Sequence, residues 1–415
     1  MIQELSTHFN AILTFGIILL AGYVAGRVAN FLKLPKVTGY IIAGVLLEPS
    51  VTGLLPQKFM AHSSVVNNFA LCIITYAIGG SLSFRKIRSL GNTIWVMTIF
   101  ESVMTFLMIS VGLFFLLPLL TRYAGLSVEP VLFLPLAILA GSLGAPTDPT
   151  PTLAVKEEYR ASGPVTTTIL GIGAFDDAMG IMIFSLATAA GAAMVSGSAG
   201  GLASAIIKPL GTIFFSILTG GLFALFLLAS SRKVQDKGVM VALILGSLFA
   251  CFGIAQAIGL DELLSTMTFG CVVVNLAKDE DKYFLSVRDY FEEMVFTVFF
   301  VIAGANLQLG ILKSALAVVI IFVALRVAGK VAGSYTGAVI SGAKENVKKY
   351  TALGLVPQGG IIVGLALLLK EQPAFSGMAT ILLNVILGTT VLFEFIGPLL
   401  TEIAIKRSEE AGKGE

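Results

Sequence analysis

The sequence predicts an all-α polytopic membrane protein of about thirteen transmembrane helices. Three observations predict it: an apolar composition, apolar runs of membrane-spanning length, and basic residues that favour every second loop. The 415 residues are 56% hydrophobic and 13% charged, with a mean hydropathy of +0.93. Ordinary soluble domains carry about 25% charged residues, so the composition excludes one or two soluble domains.

The apolar residues form long runs rather than stripes with the 3.6-residue period of a surface helix. The runs at 9–26 and 210–229 reach the roughly 18–20 residues that cross a bilayer. The first run follows an acidic residue, Glu4, and lacks a small-residue cleavage site, so we expect a retained helix and no signal peptide. The predicted spans are 9–31, 37–55, 64–83, 92–118, 129–156, 163–194, 203–230, 237–257, 260–277, 287–308, 311–341, 348–370 and 376–405.

Basic residues divide unequally between the two sides that these spans define. Of the 27 Lys and Arg residues, 20 lie in one set of alternating loops and helix ends and five in the other. The positive-inside rule makes the richer set cytoplasmic, which predicts a multi-pass protein of the cell membrane with its N-terminus outside and its C-terminus inside. The remaining two, Arg326 and Lys330, fall inside a predicted span.

Two predicted helices are interrupted in the same way. The fifth span contains a Pro-rich stretch at 144–151, and the twelfth contains a Gly/Pro stretch at 354–360. Paired interruptions of this kind mark the midplane binding site of transporters built from inverted repeats. Ordinary proline kinks are the alternative, but three prolines within six residues around Asp148 are excessive for a kink.

The interrupted helices are seven spans apart, so the two halves of the chain run in opposite directions through the membrane. The sequence therefore predicts two inverted six-helix repeats with crossed broken helices. The predicted transmembrane domain covers 1–405 and is followed by a short cytoplasmic tail at 406–415. Within the domain, we expect repeat 1 at about 9–194, a connector helix at about 203–230 and repeat 2 at about 237–405.

Charged side chains at membrane depth are rare and usually functional. Counted along ideal helices, Asp148, Asp176 and Gln358 each lie near the midplane. Asp177 follows Asp176 directly, and adjacent helical residues point about 100° apart. We therefore expect one of the two aspartates to face a cavity and the other to face a partner.

Asp177 is the better candidate for the cavity, because Gly173 and Gly180 leave its face of the helix without bulk. Such a face suits the close approach of a broken helix or an ion. Two nearby carboxylates in a low-dielectric setting do not easily both ionise. A carboxylate that takes up a proton when a cation leaves is what proton exchange requires.

The other polar groups receive supporting roles. Thr147 is expected to offer a hydroxyl or carbonyl to the ion, and Asp148 to offset the N–H ends of the broken helices. Arg326 is expected to pair with Asp176 or to offset carbonyl ends, with Lys330 as the alternative partner of Asp176. Gln358 is the neutral counterpart of Asp148, and Glu101 and Glu394 are interpreted as structural groups.

These residues carry a resemblance to a known family. The stretch 34–47 (LPKVTGYIIAGVLL), the Thr147-Asp148-Pro149 break and Phe175-Asp176-Asp177 resemble the sodium/proton exchangers of the second branch of the monovalent cation/proton antiporter superfamily. The stretches Asp261-Glu262-Leu263-Leu264, Arg326-Val327-Ala328-Gly329-Lys330 and Pro357-Gln358-Gly359-Gly360 fit as well. The likeness covers essentially the whole chain.

The resemblance implies a sodium/proton antiporter fold in a homodimer, with a core that slides past a dimerisation domain like an elevator. It implies that Asp177 is the main carrier of ion and proton and Asp176 its companion, so both would bind the transported cation. Electrogenic relatives combine Asp-Asp with a Lys, and electroneutral ones combine Asn-Asp with an Arg. Here Asp-Asp stands with Arg326 and, one turn on, Lys330, which leaves the proton stoichiometry open.

The expected substrates are protons and a monovalent cation, with Na⁺ placed before K⁺ or Li⁺, and the lipid bilayer is the expected surrounding. The alternatives are an organic-anion:sodium symporter on a related inverted-repeat fold and a channel-like K⁺ pathway. We expect no enzyme, because no nucleophile–base pair appears, and no cofactor. No basic patch with interleaved aromatic residues suggests nucleic acid.

Overall fold

The computed structural model is almost entirely helical. It describes residues 10–32, 36–48, 51–85, 91–123, 128–148, 150–195, 201–279, 281–307 and 315–413. The motif residues Leu34, Pro35 and Pro149 lie outside these ranges. The helices are α1 (Ala11–Phe31), α2 (Lys36–Leu47), α3 (Gln57–Ala61), α4 (Ser64–Ser81), α5 (Asn92–Tyr123), α6 (Phe133–Ser142), α7 (Thr150–Glu158), α8 (Pro164–Val195), α9 (Gly201–Ser230), α10 (Lys237–Ala257), α11 (Glu262–Leu276), α12 (Asp281–Ala305), α13 (Leu316–Ile340), α14 (Glu345–Gly354), α15 (Ile361–Glu371) and α16 (Ser376–Arg407).

Short polar side chains define where several helices begin. Asn10 accepts a hydrogen bond from the Leu13 amide at the start of α1, and Asp236 accepts one from the Val239 amide at the start of α10. Asp261 does the same for α11 through the Leu264 amide, at 2.7 Å. Each side chain satisfies one of the N–H groups that a helix leaves unpaired in its first turn.

Seven helices of the described residues are long and apolar enough to cross a membrane. The last helix, α16, is bent into two parts, and counting these two parts together as one span gives eight. Shorter apolar helices and two interrupted helices occupy other predicted spans. The multi-pass helical fold is thus confirmed, whereas the count of thirteen stays a prediction. The division into inverted repeats also stays a prediction.

Both predicted interruptions are present. Helix α6 ends at Ser142 and α7 begins at Thr150, while α14 ends at Gly354 and α15 begins at Ile361. The two irregular stretches cross each other, because Thr147 and Gln358 form an antiparallel β-bridge. The Asp148 amide also donates to the Pro357 carbonyl at 3.2 Å. The broken helices therefore meet backbone to backbone, where each stretch satisfies polar groups of the other.

A close helix pair supports this crossing from one side. Along α13, a Cβ added to Gly329, Gly333 or Gly337 would lie 2.6–2.7 Å from a backbone Cα of α5. Glycines spaced four residues apart form one face of a helix, and that face lets two backbones approach closely within a membrane. This packing fixes the position of α13 against α5.

Candidate functional site

Helix α13 carries two basic residues, Arg326 and Lys330, on one face. They are four residues apart, and both are fully buried. A buried cation is costly unless it is paired or hydrogen-bonded. Their partners therefore show what each charge does.

Arg326 binds backbone carbonyls from both interruptions. Its Nε donates to the Gly144 carbonyl at 2.9 Å, and its second terminal nitrogen donates to the Pro146 carbonyl at 2.8 Å and to that of Pro357 at 3.3 Å. The other terminal nitrogen donates to the Val356 carbonyl. We call this group the carbonyl cluster. It joins the C-terminal ends of the two half-helices through one guanidinium, and the role of Arg326 in offsetting carbonyl ends stays a prediction.

Lys330 binds carboxylates instead. Its Nζ forms ion pairs with Asp176 Oδ2, at 3.1 Å, and with Glu101. The same Nζ donates to Thr147 Oγ1 at 2.6 Å and to the Ala145 carbonyl. Lys330 is thus the basic partner of Asp176 that the sequence left undecided between two residues of α13.

The oxygens of Asp176 are fully engaged. Oδ1 accepts a hydrogen bond from Ser102 Oγ at 2.7 Å, and Oδ2 accepts one from the Thr147 hydroxyl in addition to that from Lys330. We call Lys330, Asp176, Glu101, Ser102 and Thr147 the carboxylate cluster. The Thr147 hydroxyl is committed to it, so of the two ion ligands expected from Thr147 only the carbonyl remains free of this cluster.

Glu101 is the member whose role the sequence did not reveal. It lies on α5 and is fully buried, and Lys330 reaches it because α5 and α13 pack through the glycine face described above. The spacing Gly329-x₃-Gly333-x₃-Gly337 was the signal that could have predicted this pairing. The side chain of Glu394, also a charge in a predicted span, lies outside the described residues.

Asp177 points away from the carboxylate cluster, as its 100° offset from Asp176 requires. Its Oδ1 is buried and has no hydrogen-bond partner among the described residues. On the same helix face, a Cβ added to Gly180 would lie 2.3 Å from Pro146 Cγ, so the first interruption packs directly against this face. The glycine-lined face of Asp177 therefore receives the broken helix.

A small space next to Asp177 is bounded by oxygen atoms. A Cβ added to Gly359 would lie 3.3 Å from Asp177 Oδ1 and 3.5 Å from the Thr147 carbonyl oxygen. Two oxygens from different elements thus face the position that the missing side chain of Gly359 leaves open. Carboxylate and carbonyl oxygens are the ligand types that hard cations prefer.

Gln358 and Asp148 lie on either side of the crossing. Gln358 is buried, and its Nε2 donates to Thr390 Oγ1 at 3.0 Å, whereas its Oε1 has no hydrogen-bond partner among the described residues. Asp148 is half-buried and follows Thr147 at the wall of a large cavity. The two residues correspond in position but face different surroundings.

That cavity, the central cavity, has a volume of about 1400 Å³. Asp177, Asp148 and Thr147 line its inner end, and the other lining residues include the aromatic side chains of Tyr40, Tyr76, Phe296 and Phe300. Its other end reaches three exposed residues, Lys36, Glu158 and Glu293. At this mouth Glu293 accepts hydrogen bonds from Lys36, at 2.7 Å, and from the Tyr40 hydroxyl, at 2.6 Å. Water and small ions can therefore reach Asp177 from one side.

The fold and the site together define a helical membrane transporter with a buried carboxylate at the crossing of two broken helices. Residues 15–405 match the family described as sodium/hydrogen exchanger, transmembrane. The chain belongs to this family of cation/proton antiporters.

Individual relatives are similar along most of their length. The chain is 23% identical over 393 residues to the high-affinity Na⁺/H⁺ antiporter NhaS3 of Synechocystis, covering 84% of this chain and 80% of the relative. It is 19% identical to the ammonium/H⁺ antiporter subunit AmhT of Alkalihalophilus pseudofirmus, covering 96% of each. The solved structure of the sodium proton antiporter MjNhaP1 from Methanocaldococcus jannaschii matches with a TM-score of 0.75 and 17% identity, covering 98% of this chain and 99% of that one. The antiporter fold is thereby confirmed.

Proposed function

We propose that this chain exchanges a monovalent cation for protons by alternating access, and that Asp177 carries both in turn. The observation that supports this proposal best is the unpartnered Oδ1 of Asp177 at the inner end of the central cavity. A buried carboxylate oxygen without a donor is unstable as a bare anion. It is neutralised either by a proton or by a cation, and competition between the two at one oxygen couples their movements.

The carboxylate cluster also supports Asp177, and not Asp176, as the main carrier. Asp176 already has Lys330, Ser102 and Thr147 as partners, so its charge is compensated in this state. Asp177 Oδ1 has no hydrogen-bond partner among the described residues, so Asp177 is the carboxylate open to exchange. Cation binding would add the Thr147 carbonyl and draw Asp176 in as a companion ligand.

The stoichiometry depends on Lys330. If Lys330 had Asp176 as its only anionic partner, cation binding to Asp176 would leave the ammonium unpaired, and it would shed a proton. Two protons would then exchange for one cation, and current would flow. Glu101 provides a second anionic partner in contact with the same Nζ. We therefore propose that Lys330 keeps its proton throughout and that exchange is one-for-one and electroneutral.

Alternating access is proposed to follow the elevator motion that the family resemblance implies. The central cavity is lined by the crossing and α8 and, as the wall that we assign to the dimerisation domain, by α2, α4 and α12. Its mouth lies among Lys36 and Glu158, beside the basic residues that predict the cytoplasmic side. In this assignment the site faces the cytoplasm, and sliding of the crossing with α8 past the opposite wall would turn it outward. A homodimer is the proposed assembly.

Sodium is the proposed cation. NhaS3 is a Na⁺/H⁺ antiporter and AmhT an ammonium/H⁺ antiporter, so relatives of similar distance differ in their ion. A site made of carboxylate and carbonyl oxygens with a fixed backbone crossing suits a small, hard cation. Potassium and lithium are the comparison ions for the test.

The test is a pH-dye assay in proteoliposomes with an imposed pH gradient. Additions of Na⁺, Li⁺ and K⁺ are expected to move protons with saturation, at the lowest concentration for Na⁺, and organic anions are expected to have no effect. Proton movement that requires an organic anion would indicate the symporter instead. Cation flux without a fixed proton ratio would indicate a channel. Asp177→Asn in the same assay is the matched control, because the substitution keeps the volume of the side chain.

A further inference from the structure

The chain after the last helix folds back onto the protein. Helix α16 ends at Arg407, and Glu409 adopts a left-handed backbone conformation with φ of 61°. This turn reverses the chain, and the Glu410 amide donates to the Ile405 carbonyl at 3.2 Å. Glu410 is only 4% exposed. Its side chain is therefore directed into the protein and not into solvent.

The Glu410 carboxylate caps the first turn of α8. Oε1 accepts a hydrogen bond from the Val165 amide, and Oε2 accepts one from the Thr166 amide and one from the Thr166 hydroxyl, each at 2.7 Å. The first residue of α8 is Pro164, which has no N–H to offer. Glu410 thus binds both amides that follow this proline, and its charge complements the positive end of the helix dipole.

The surrounding backbone is built around this contact. Gly163 precedes α8, and a Cβ there would lie 2.3 Å from Glu410 Cδ, so only glycine leaves room for the carboxylate. The Ser162 amide donates to the Glu410 carbonyl at 3.1 Å, and the Gly412 amide donates to the Tyr159 carbonyl at 2.8 Å. We call these contacts of residues 410–412 with residues 159–166 the tail clasp.

The tail clasp lies at the joint between the two elements that form the ion site. Residues 159–163 connect α7, which continues from the first interruption, to α8, which carries Asp176 and Asp177. Asp177 is twelve residues beyond Val165, about 18 Å along a rigid helix. A change in the position of the α8 terminus therefore moves Asp177 relative to the Thr147 carbonyl.

We infer that Glu410 is a positioning residue for ion exchange, which holds α8 in register with the first interruption so that Asp177 and the Thr147 carbonyl oxygen face one space. Residue 410 lies beyond residue 405, where the match to the family ends. The inference rests on the proposed function, because it assigns Glu410 to the same ion site.

Glu410→Ala tests it against Glu409→Ala, which truncates the exposed neighbouring glutamate. Exchange is measured in proteoliposomes containing equal amounts of folded, monodisperse protein. Glu410→Ala is expected to raise the KM for Na⁺ by about tenfold, since a misplacement of about 1 Å can cost up to ~100-fold, with a smaller change in the maximal rate. Glu409→Ala is expected to keep the KM. Glu410→Gln retains one acceptor oxygen, so its KM should fall between that of Glu410→Ala and that of the unaltered protein.

A merely structural role has a different signature. In that case Glu410→Ala would lower the melting temperature and the maximal rate, because fewer molecules are active, and would leave the KM unchanged. That result would overturn the inference. Exchange that persists in Asp177→Asn would instead overturn the proposed function, so the two failures are distinguishable.

Gly163→Ala disturbs the tail clasp at the residue that faces Glu410. It provides a second test if Glu410→Ala does not fold. The new methyl group must displace the Glu410 carboxylate, so Gly163→Ala alone should raise the KM as Glu410→Ala does. In the double variant the methyl group meets no carboxylate, and the KM should not rise further. Multiplicative effects on the KM, or a normal KM in Gly163→Ala, would contradict the positioning role.

Discussion

Arg326 and Lys330 are one helical turn apart, equally buried and equally charged, yet they bind different kinds of group. Among the described residues, Arg326 donates only to backbone carbonyls of the two interruptions, whereas Lys330 contacts two carboxylates. The planar guanidinium suits several fixed acceptors at once, and the compact ammonium suits a cluster whose charges change. We therefore propose that the carbonyl cluster maintains the architecture of the site and that the carboxylate cluster takes part in its chemistry.

The largest loss of exchange activity is expected from substitution of Asp177, which lies next to the carboxylate cluster. Asp177→Asn removes the oxygen that alternates between proton and cation, so exchange in proteoliposomes should fall to background. The fold should survive, because Oδ1 has no partner within the described chain whose loss would destabilise it. Size-exclusion profiles and melting temperature provide the control. Near-normal Na⁺-dependent proton movement in this variant would remove Asp177 from the mechanism.

The carbonyl cluster should respond mainly in stability. Arg326→Ala strips the donor from four carbonyls at the crossing. Breaking a buried charged network by removing one partner typically costs roughly 3–5 kcal/mol. A marked drop in the melting temperature of the purified protein is the expected result. Arg326→Lys keeps the charge but not the planar fork, so its melting temperature should lie between that of Arg326→Ala and that of the unaltered protein. A normal melting temperature in Arg326→Ala would show that the crossing holds without this residue.

Substitutions in the carboxylate cluster should mainly change whether transport carries a current. Na⁺ jumps on a solid-supported membrane are expected to give no sustained current in the unaltered protein. Glu101→Gln removes the second anionic partner of Lys330, so a sustained current should appear with cation binding. Ser102→Ala, which removes a neutral member of the same cluster, is the control and should give none.

The opposite outcome is equally informative. A sustained current in the unaltered protein that disappears in Lys330→Ala would make Lys330 the second proton carrier. Such a current would contradict the role given to Glu101. It would restore the electrogenic behaviour that the Asp-Asp pair shares with some relatives.

The smallest effect is expected at Asp148. This half-buried carboxylate stands just before α7, where it is proposed to offset the positive ends of the broken helices. Asp148→Asn should weaken apparent Na⁺ affinity and lower the melting temperature, while the ratio of protons to cations stays the same. Parallel measurement of ²²Na⁺ uptake and proton flux gives that ratio. A changed ratio with unchanged affinity would make Asp148 a carrier.

Some parts of the site were predictable from the sequence and others were not. Asp176, Asp177 and the two interruptions were predictable, because charges and paired Pro/Gly stretches at membrane depth are conspicuous against apolar surroundings. The partner of Asp176 was not, since Arg326 and Lys330 share one face of α13 and the choice between them depends on a shift of one turn along the helix axis. That axial position is set by how the Gly329, Gly333 and Gly337 face packs on α5, which only the folded protein shows.

The tail clasp was harder to predict from the sequence than the ion site. Residues 406–415 are predicted to form a short cytoplasmic tail, and within that segment residues 408–413 turn back and cap α8. The reversal depends on a left-handed residue, Glu409, that is not glycine, and on a contact between residues about 245 positions apart. Neither leaves a local pattern in the sequence.

The central claim, that one carboxylate exchanges a proton for a cation, is tested most directly by measuring both on the same purified protein. Equilibrium binding of ²²Na⁺ and the protons released on binding are recorded together in weakly buffered detergent solution. The account predicts one proton released per Na⁺ bound, and neither binding nor release in Asp177→Asn. Sodium binding with undiminished proton release in Asp177→Asn would contradict it.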